Sequence, residues 1–312
     1  MPDDRVPSAR AAAAAPPAAP APDVLLDWFD RHGRDLPWRR PGTTAWQVLI
    51  SEVMLQQTPV VRVLPVWQEW VARWPTPDAL AAEPAAAAVR AWGRLGYPRR
   101  ALRLHDCATV LRDRFDGAVP ADVETLLTLP GVGDYTARAV ACFAYGAAVP
   151  VVDVNVRRVI ARALHGAAQP GAATTPTDRA DVAAALPADP QVAARYSAAL
   201  MEYGALVCTA RSPQCDSCVL PRCTWREAGF PAQEGPWRRP QRYEGTDRQA
   251  RGALLAVVRE ADGAVSRAAL DAAWTRDPGQ RDRALHSLLT DGLLEQTDAG
   301  AFALPGEHGH RG

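Results

Sequence analysis

Four cysteines, Cys208, Cys215, Cys218 and Cys223, fall within sixteen residues as C-x6-C-x2-C-x4-C, and the chain holds only two others. Thiols grouped this tightly in a chain read as cytosolic point to metal binding or redox chemistry before disulfides. One compact run of four thiolates suits a cubane iron–sulfur cluster, and zinc takes the same ligand type, so spacing alone leaves both open. Cys107 and Cys142 lie in Ala/Leu-rich helical patterns and read as small core residues.

Two carboxyls stand out next. In SEVMLQQT, residues 51–58, a helical wheel gathers Trp46, Leu49, Ile50, Val53 and Met54 into one apolar stripe, with Glu52 and Gln56 on its flank at i, i+4. A carboxyl bordering a core is more readily held protonated and can act as a general acid, although a surface glutamate would be spelled the same way. Asp153 follows the apolar approach Val149, Val151 and Val152 and opens the helical pattern VNVRRVIAR. It reads either as a helix cap or as a carboxylate set near developing positive charge, as a sugar oxocarbenium ion requires. One acid and one charge stabiliser on separate helices suit cleavage of a glycosidic bond. All 35 basic residues are arginine, so no lysine amine exists to form a Schiff base.

The stretch LPGVGDYTARAV, from Leu129 to Val140, ends one helical pattern at Pro130 and begins another within a few residues. Gly131 and Gly133 supply backbone freedom between them. That is the pattern of a helix-hairpin-helix, which aims amides of a tight turn and a helix N-terminus at a phosphate without reading sequence. An ordinary glycine turn between packed helices fits the same letters. Asp134 is expected to cap the second helix.

The elements that position these residues follow from periodicity. From residue 23 to 225 the 312-residue chain shows helix after helix with apolar positions three and four apart, and strand alternation is nearly absent, which implies an all-α core. The helix-hairpin-helix spans 121–146 and the cysteine loop 208–223. Residues 1–22 are Ala/Pro-rich and expected to be disordered, and 226–246 read as an Arg/Pro-rich linker. Residues 247–306 give three short helical patterns, the second capped by Ser266, and a hairpin around DAG, a winged-helix-like order. No membrane span or secretion signal is expected, and the chain is read as cytoplasmic and nucleoid-associated. Net charge is zero. Beyond residue 246, ten acidic residues against eight arginines disfavour a phosphate-seeking surface, and the linker arginines Arg238, Arg239 and Arg242 are better placed for one.

In this order, LPWR, SEVMLQQT, RLGYPRRALRLH, LPGVGDYTARAV, VDVNVRRVIAR and MEYGALVCTARSPQCDSC resemble the adenine-DNA glycosylases of the MutY family, in the helix-hairpin-helix glycosylase superfamily. The likeness runs from about residue 28 to 223. It implies a two-lobed helical fold in which Cys208, Cys215, Cys218 and Cys223 hold a structural [4Fe-4S] cluster and fix a loop carrying Arg211 and Arg222 against the DNA backbone. It makes Glu52 the acid that protonates the departing adenine and Asp153 the stabiliser of the sugar, supported by Tyr135 and Asn155. Gln56, Gln57 and Thr58 match the segment that enters the duplex beside an extruded base, and Leu129, Gly131, Val132 and Gly133 match the phosphate-binding hairpin. The related endonuclease III enzymes carry lysine where this chain has Tyr135, so the resemblance implies a monofunctional glycosylase, a monomer acting on double-stranded DNA with an adenine mismatch. A thymine or uracil mismatch glycosylase of the same fold, or a non-catalytic iron–sulfur DNA-binding regulator, would share much of this pattern. The chain departs from the family in its x4 final cysteine interval, in Val154 where glycine is common, and in lacking room for the Nudix-like domain that recognises 8-oxoguanine.

Overall fold

The computed structural model describes residues 20–232 and 243–307. The Ala/Pro stretch up to residue 19 and Arg238, Arg239 and Arg242 of the linker lie outside them. Fifteen α-helices are described: α1 (Pro22–His32), α2 (Ala45–Leu55), α3 (Val60–Arg73), α4 (Pro77–Ala81), α5 (Ala85–Trp92), α6 (Arg99–Phe115), α7 (Val123–Leu126) and α8 (Asp134–Tyr145) come first. They are followed by α9 (Val154–Ala163), α10 (Pro176–Ala185), α11 (Pro190–Leu206), α12 (Thr224–Glu227), α13 (Asp247–Glu260), α14 (Arg267–Ala273) and α15 (Pro278–Thr290), and by strands β1 (Glu295–Gln296) and β2 (Phe302–Ala303). No helix among the described residues is long and apolar enough to cross a membrane.

The chain divides into two compact units, each built from two separate stretches. The first joins the segment ending at Arg34 to Pro150–Glu234. Its core forms where α1, α9 and α11 bury Leu25, Trp28, Val159, Ile160, Leu200 and Tyr203. Trp28 meets Tyr203 edge to face at 4.8 Å, and the Tyr196 hydroxyl donates to the carbonyl of Pro20 at 2.9 Å, fixing the entry to α1. Glu202 on α11, its side chain 1% exposed, accepts two bonds from the Arg34 guanidinium at 2.6 and 2.9 Å.

The second unit joins Asp35–Val149 to the C-terminal elements. Helix α2 starts from a capping box in which Thr44 accepts from the amide of Gln47 and the Gln47 side chain accepts from that of Thr44. It then buries every residue from Val48 to Met54, so it is not the one-striped helix expected from the sequence but is enclosed around most of its girth. Trp70 meets Trp74 and Trp92 edge to face. Each indole in this core that leaves the apolar interior finds a carbonyl: Trp46 reaches Trp74, Trp67 reaches Gln47 and Trp92 reaches Gly96.

Helices α13 to α15 and a small hairpin, Glu295 opposite Ala303 and Gln296 opposite Phe302, give the element order of a winged helix. Val265 bridges to Phe302 beside the hairpin, and Ser266 caps α14. These elements share a core with Ala86 and Val89 of α5, with Leu102 of α6 packed against it. The amide of Ala86 donates to the carbonyl of Pro305 at 3.1 Å, and Arg90 donates to Glu307 at 2.6 and 2.9 Å.

Candidate functional site

The candidate residues fall in both units, and each set is built differently. In the second unit Glu52 sits mid-way along α2, only 6% exposed. Tyr135 occupies the first turn of α8 and donates its hydroxyl to Glu52 Oε2 at 2.9 Å. The hairpin therefore supports the carboxyl directly. Glycine 133, not Asp134, is the N-cap of α8; Asp134 is its first residue and pairs with Arg138 at 3.0 Å, so an acidic side chain next to the phosphate-binding turn is partly neutralised. Leu129 and Val132 are buried in the core, which leaves the backbone of this turn, rather than their side chains, to meet a ligand. Gly131 has φ +77°, and a β-carbon there would come within 2.7 Å of Cβ of Arg103 on α6. Glycine is thus required both by dihedral and by close approach.

Helix α2 ends at Gln56, whose amide donates to Oγ1 of Thr136 at 3.2 Å. Gln57 is exposed with φ +55°, and Thr58 is buried. Sequence reading missed Arg100 on α6, which donates to the carbonyls of Val53, Met54 and Gln56 and to Oγ1 of Thr58. Burial pulls its pKa down to about 10.

In the first unit Asp153 is the N-cap of α9. Its Oδ1 accepts from the amide of Val156 and its Oδ2 from Nδ2 of Asn155, each at 2.7 Å. The helix-cap reading and the charge-stabiliser reading are therefore compatible: one oxygen caps and the other is held by Asn155. Burial pushes the carboxyl above its ordinary range, outweighing the hydrogen bonds and the nearby Arg158, which pull the other way. Asn155 in turn accepts from Arg158 Nη2 at 2.8 Å. Arg158, buried, also donates to the carbonyls of Gly204 and Cys208 at 2.6 and 2.7 Å. No spacing rule flagged Arg158, because its partners lie 46 and 50 residues away.

Cys208, Cys215, Cys218 and Cys223 line one pocket, walled by Val159, Arg162, Leu220 and Trp225. Arg162 donates to Cys208 Sγ at 3.4 Å and to the carbonyl of Thr209 at 2.8 Å, while its guanidinium lies 4.6 Å from the centre of the Trp225 ring. The Tyr203 hydroxyl donates to Cys218 Sγ at 2.9 Å. Burial holds the Cys208 thiol up, and Arg162 draws it back toward the thiolate. Among the described residues no three His, Cys, Asp or Glu side chains close on a single metal ion. A tetrahedral zinc would bring thiolates to about 3.8 Å from one another, whereas a cubane spreads its four ligands more widely, so four thiols around one cationic, apolar-walled pocket fit the cluster. Arg211 is exposed, and Arg222 is exposed and paired with Glu227 at 3.3 Å. Both core cysteines are buried, with Cys107 pushed up to about 12 by burial.

Residues 50–181 match the family described as HhH-GPD superfamily base excision DNA repair protein, and residues 208–220 match the iron-sulfur binding domain of endonuclease III. The chain is 62% identical over 287 residues to the adenine DNA glycosylase of Mycolicibacterium smegmatis, covering 92% of this chain and 97% of that one. It is 60% identical over 283 residues to the adenine DNA glycosylase of Mycobacterium tuberculosis, covering 91% and 93%. Within the HhH-GPD superfamily, the chain belongs to the adenine DNA glycosylase family. Among solved structures it is similar to a thermostable thymine-DNA glycosylase, with a TM-score of 0.59 and 25% identity over 66% of this chain and 95% of that one.

Proposed function

We propose that this protein releases adenine from duplex DNA in which adenine stands opposite 8-oxoguanine or guanine, by hydrolysis of the N-glycosidic bond, and leaves an intact abasic strand. The observation that carries the reading is the bond from Tyr135, on the hairpin helix, to the buried carboxyl of Glu52. An adenine inside the stack is out of reach, so the nucleotide is first extruded. Glu52 then gives a proton to a ring nitrogen of the departing base, the C–N bond breaks with its electron pair moving to adenine, and water completes the sugar. Asp153, as carboxylate, stabilises the positive charge that develops on the deoxyribose, and its burial strengthens that interaction. Asn155 orients the carboxylate through its bond to Oδ2. The iron–sulfur cluster, held by Cys208, Cys215, Cys218 and Cys223, supplies cross-linking of the loop that bears Arg211 and Arg222.

Absence of lysine supports hydrolysis without strand cleavage, since no lysine Schiff base can form. The aligned length shared with the M. smegmatis relative leaves only 25 residues of this chain outside, so most of residues 243–307 lie within it. The small C-terminal elements therefore accompany the adenine glycosylase assignment in that relative too.

Single-turnover assays on duplexes carrying A:8-oxoG, A:G, T:G and U:G test the reading. Adenine release from the first two, with the strand uncut until alkali or heat is applied, is expected. Release of thymine or uracil with adenine retained would replace it by the mismatch activity named for the solved relative.

A further inference from the structure

Two non-glycine residues of the second unit hold left-handed backbone while exposing long side chains, and they lie on different loops. Gln57 has φ +55° in the turn after α2, and Tyr97 has φ +49° in the turn before α6, with 47% of its surface exposed. Residues with a β-carbon rarely adopt this region, and they keep it only when their surroundings dictate it. The common surrounding is Arg100. Its Nη1 donates to the carbonyls of Val53, Met54 and Gln56 at 2.9, 3.2 and 2.6 Å, gathering the loose end of α2. Its Nη2 donates to Thr58 Oγ1 at 3.0 Å and to the carbonyl of Gly96, in the other turn, at 3.1 Å. The guanidinium lies 5.3 Å from the ring centres of both Trp92 and Tyr97. Thr58 adds a bond of its own to the carbonyl of Leu95 at 3.4 Å.

We propose that Arg100 is a positioning residue that locks the turn at 55–58 to the turn at 94–98, so that Gln57 and Tyr97 meet the duplex as one pre-set pair. A carboxamide offers hydrogen bonds to base edges, and an aromatic ring offers a stacking face, so the pair fills the gap that an extruded nucleotide leaves. Because both backbones are already fixed, neither turn has to be ordered when the base leaves the stack. Lysine at position 100 keeps the charge but lacks the planar fork that reaches five acceptors at once. The inference rests on the reading that Gln56 to Thr58 enter the duplex.

The test is a double-mutant cycle read by the fluorescence of 2-aminopurine next to the target adenine, which reports extrusion rate and duplex affinity in the full-length holoprotein. Gln57→Ala and Tyr97→Ala, both at exposed positions, are each expected to slow extrusion roughly tenfold, the scale of one lost stacking or base-edge contact, and the double variant little more than the slower single one. In an Arg100→Lys background the two losses become independent, extrusion slows, the apparent KM rises, and the rate of base release once the nucleotide is out is unchanged. Multiplicative losses in the unaltered background would overturn the proposal even if Arg100→Lys fails to fold, and so would coupling that survives Arg100→Lys. Normal extrusion and affinity in Gln57→Ala would instead remove the underlying reading that this turn enters DNA.

Discussion

Tyr135 and Glu52 are joined by a 2.9 Å hydrogen bond between the first turn of α8 and the middle of α2. The phenol belongs to the same helix whose N-terminal turn is set for a phosphate, so gripping the strand and supporting the acid depend on one element. Replacing Tyr135 by Phe keeps the ring and deletes only the donor. Adenine release is expected to slow about 10- to 100-fold, and the fold to lose about 1 kcal/mol, the net worth of one hydrogen bond. Glu52→Gln removes the proton itself and is expected to slow release at least about 100-fold while duplex binding persists. Single-turnover adenine release beside gel-shift affinity checks both, and undiminished turnover in Glu52→Gln would move the acid elsewhere.

Asp153 makes a prediction about pH. Its native carboxyl titrates above the ordinary carboxylate range because of burial. A carboxyl shifted upward stabilises the fold below its unfolded pKa, and that contribution is lost as pH rises through the native value. Asn at position 153 can still cap α9 through its side-chain oxygen but carries no charge. The stability of Asp153→Asn relative to the unaltered protein should therefore improve between about pH 4.5 and pH 7.5, the interval above the ordinary carboxyl value near 3.9. Urea denaturation at the two pH values measures it. Adenine release by the variant should fall, and a stability difference that shrinks on the way to pH 7.5 would contradict the upward shift.

Gly204 lies in α11 where that helix presses on the start of α9. A β-carbon at this position would come within 2.7 Å of the carbonyl oxygen of Asn155 and 2.8 Å of its Cβ. Backbone atoms cannot give way as a side-chain tip can, so Gly204→Ala must separate the helices. A loss of about 1 to 3 kcal/mol is expected, typical of overpacking. Because the residue pushed aside supports Asp153, adenine release should drop more than global stability explains, which parallel thermal melts and single-turnover rates would reveal.

These residues mark where sequence reading reaches and where it stops. Four thiols in sixteen residues and the Pro130 to Gly133 turn are legible because their geometry is local: ligand spacing and backbone freedom are spelled by neighbours. The same holds for the caps at Ser266 and Asp153, each bonding an amide three residues on. Asp134 misled because a capping residue was expected where Gly133 performs the turn and the aspartate pairs with Arg138 instead. Glu52 seemed to border a stripe, but neighbours from other helices enclose α2 and bury the carboxyl. Arg100, Arg158, Arg162 and Gly204 were invisible. Their partners lie on other elements, and in a chain with 35 arginines a single buried one carries no distinguishing letter.

Arg158 joins the two halves of the first unit's site and so permits a paired test. Its Nη2 holds Asn155, the partner of Asp153, and its Nε holds the carbonyl of Cys208, the first residue of the cysteine loop. Truncation to alanine leaves three buried acceptors without this donor, and unsatisfied buried groups cost about 1 to 3 kcal/mol each. Arg158→Ala should accordingly lower both iron bound per chain and adenine release. Asn155→Ala breaks only the arm toward Asp153, so it should lower adenine release with iron content and visible absorbance intact. Iron assay and single-turnover kinetics on the same preparations separate the two arms. Full iron in Arg158→Ala would mean that Arg162, with its own bonds to Cys208 Sγ and the carbonyl of Thr209, suffices to hold the loop, and that Arg158 acts on the aspartate side alone.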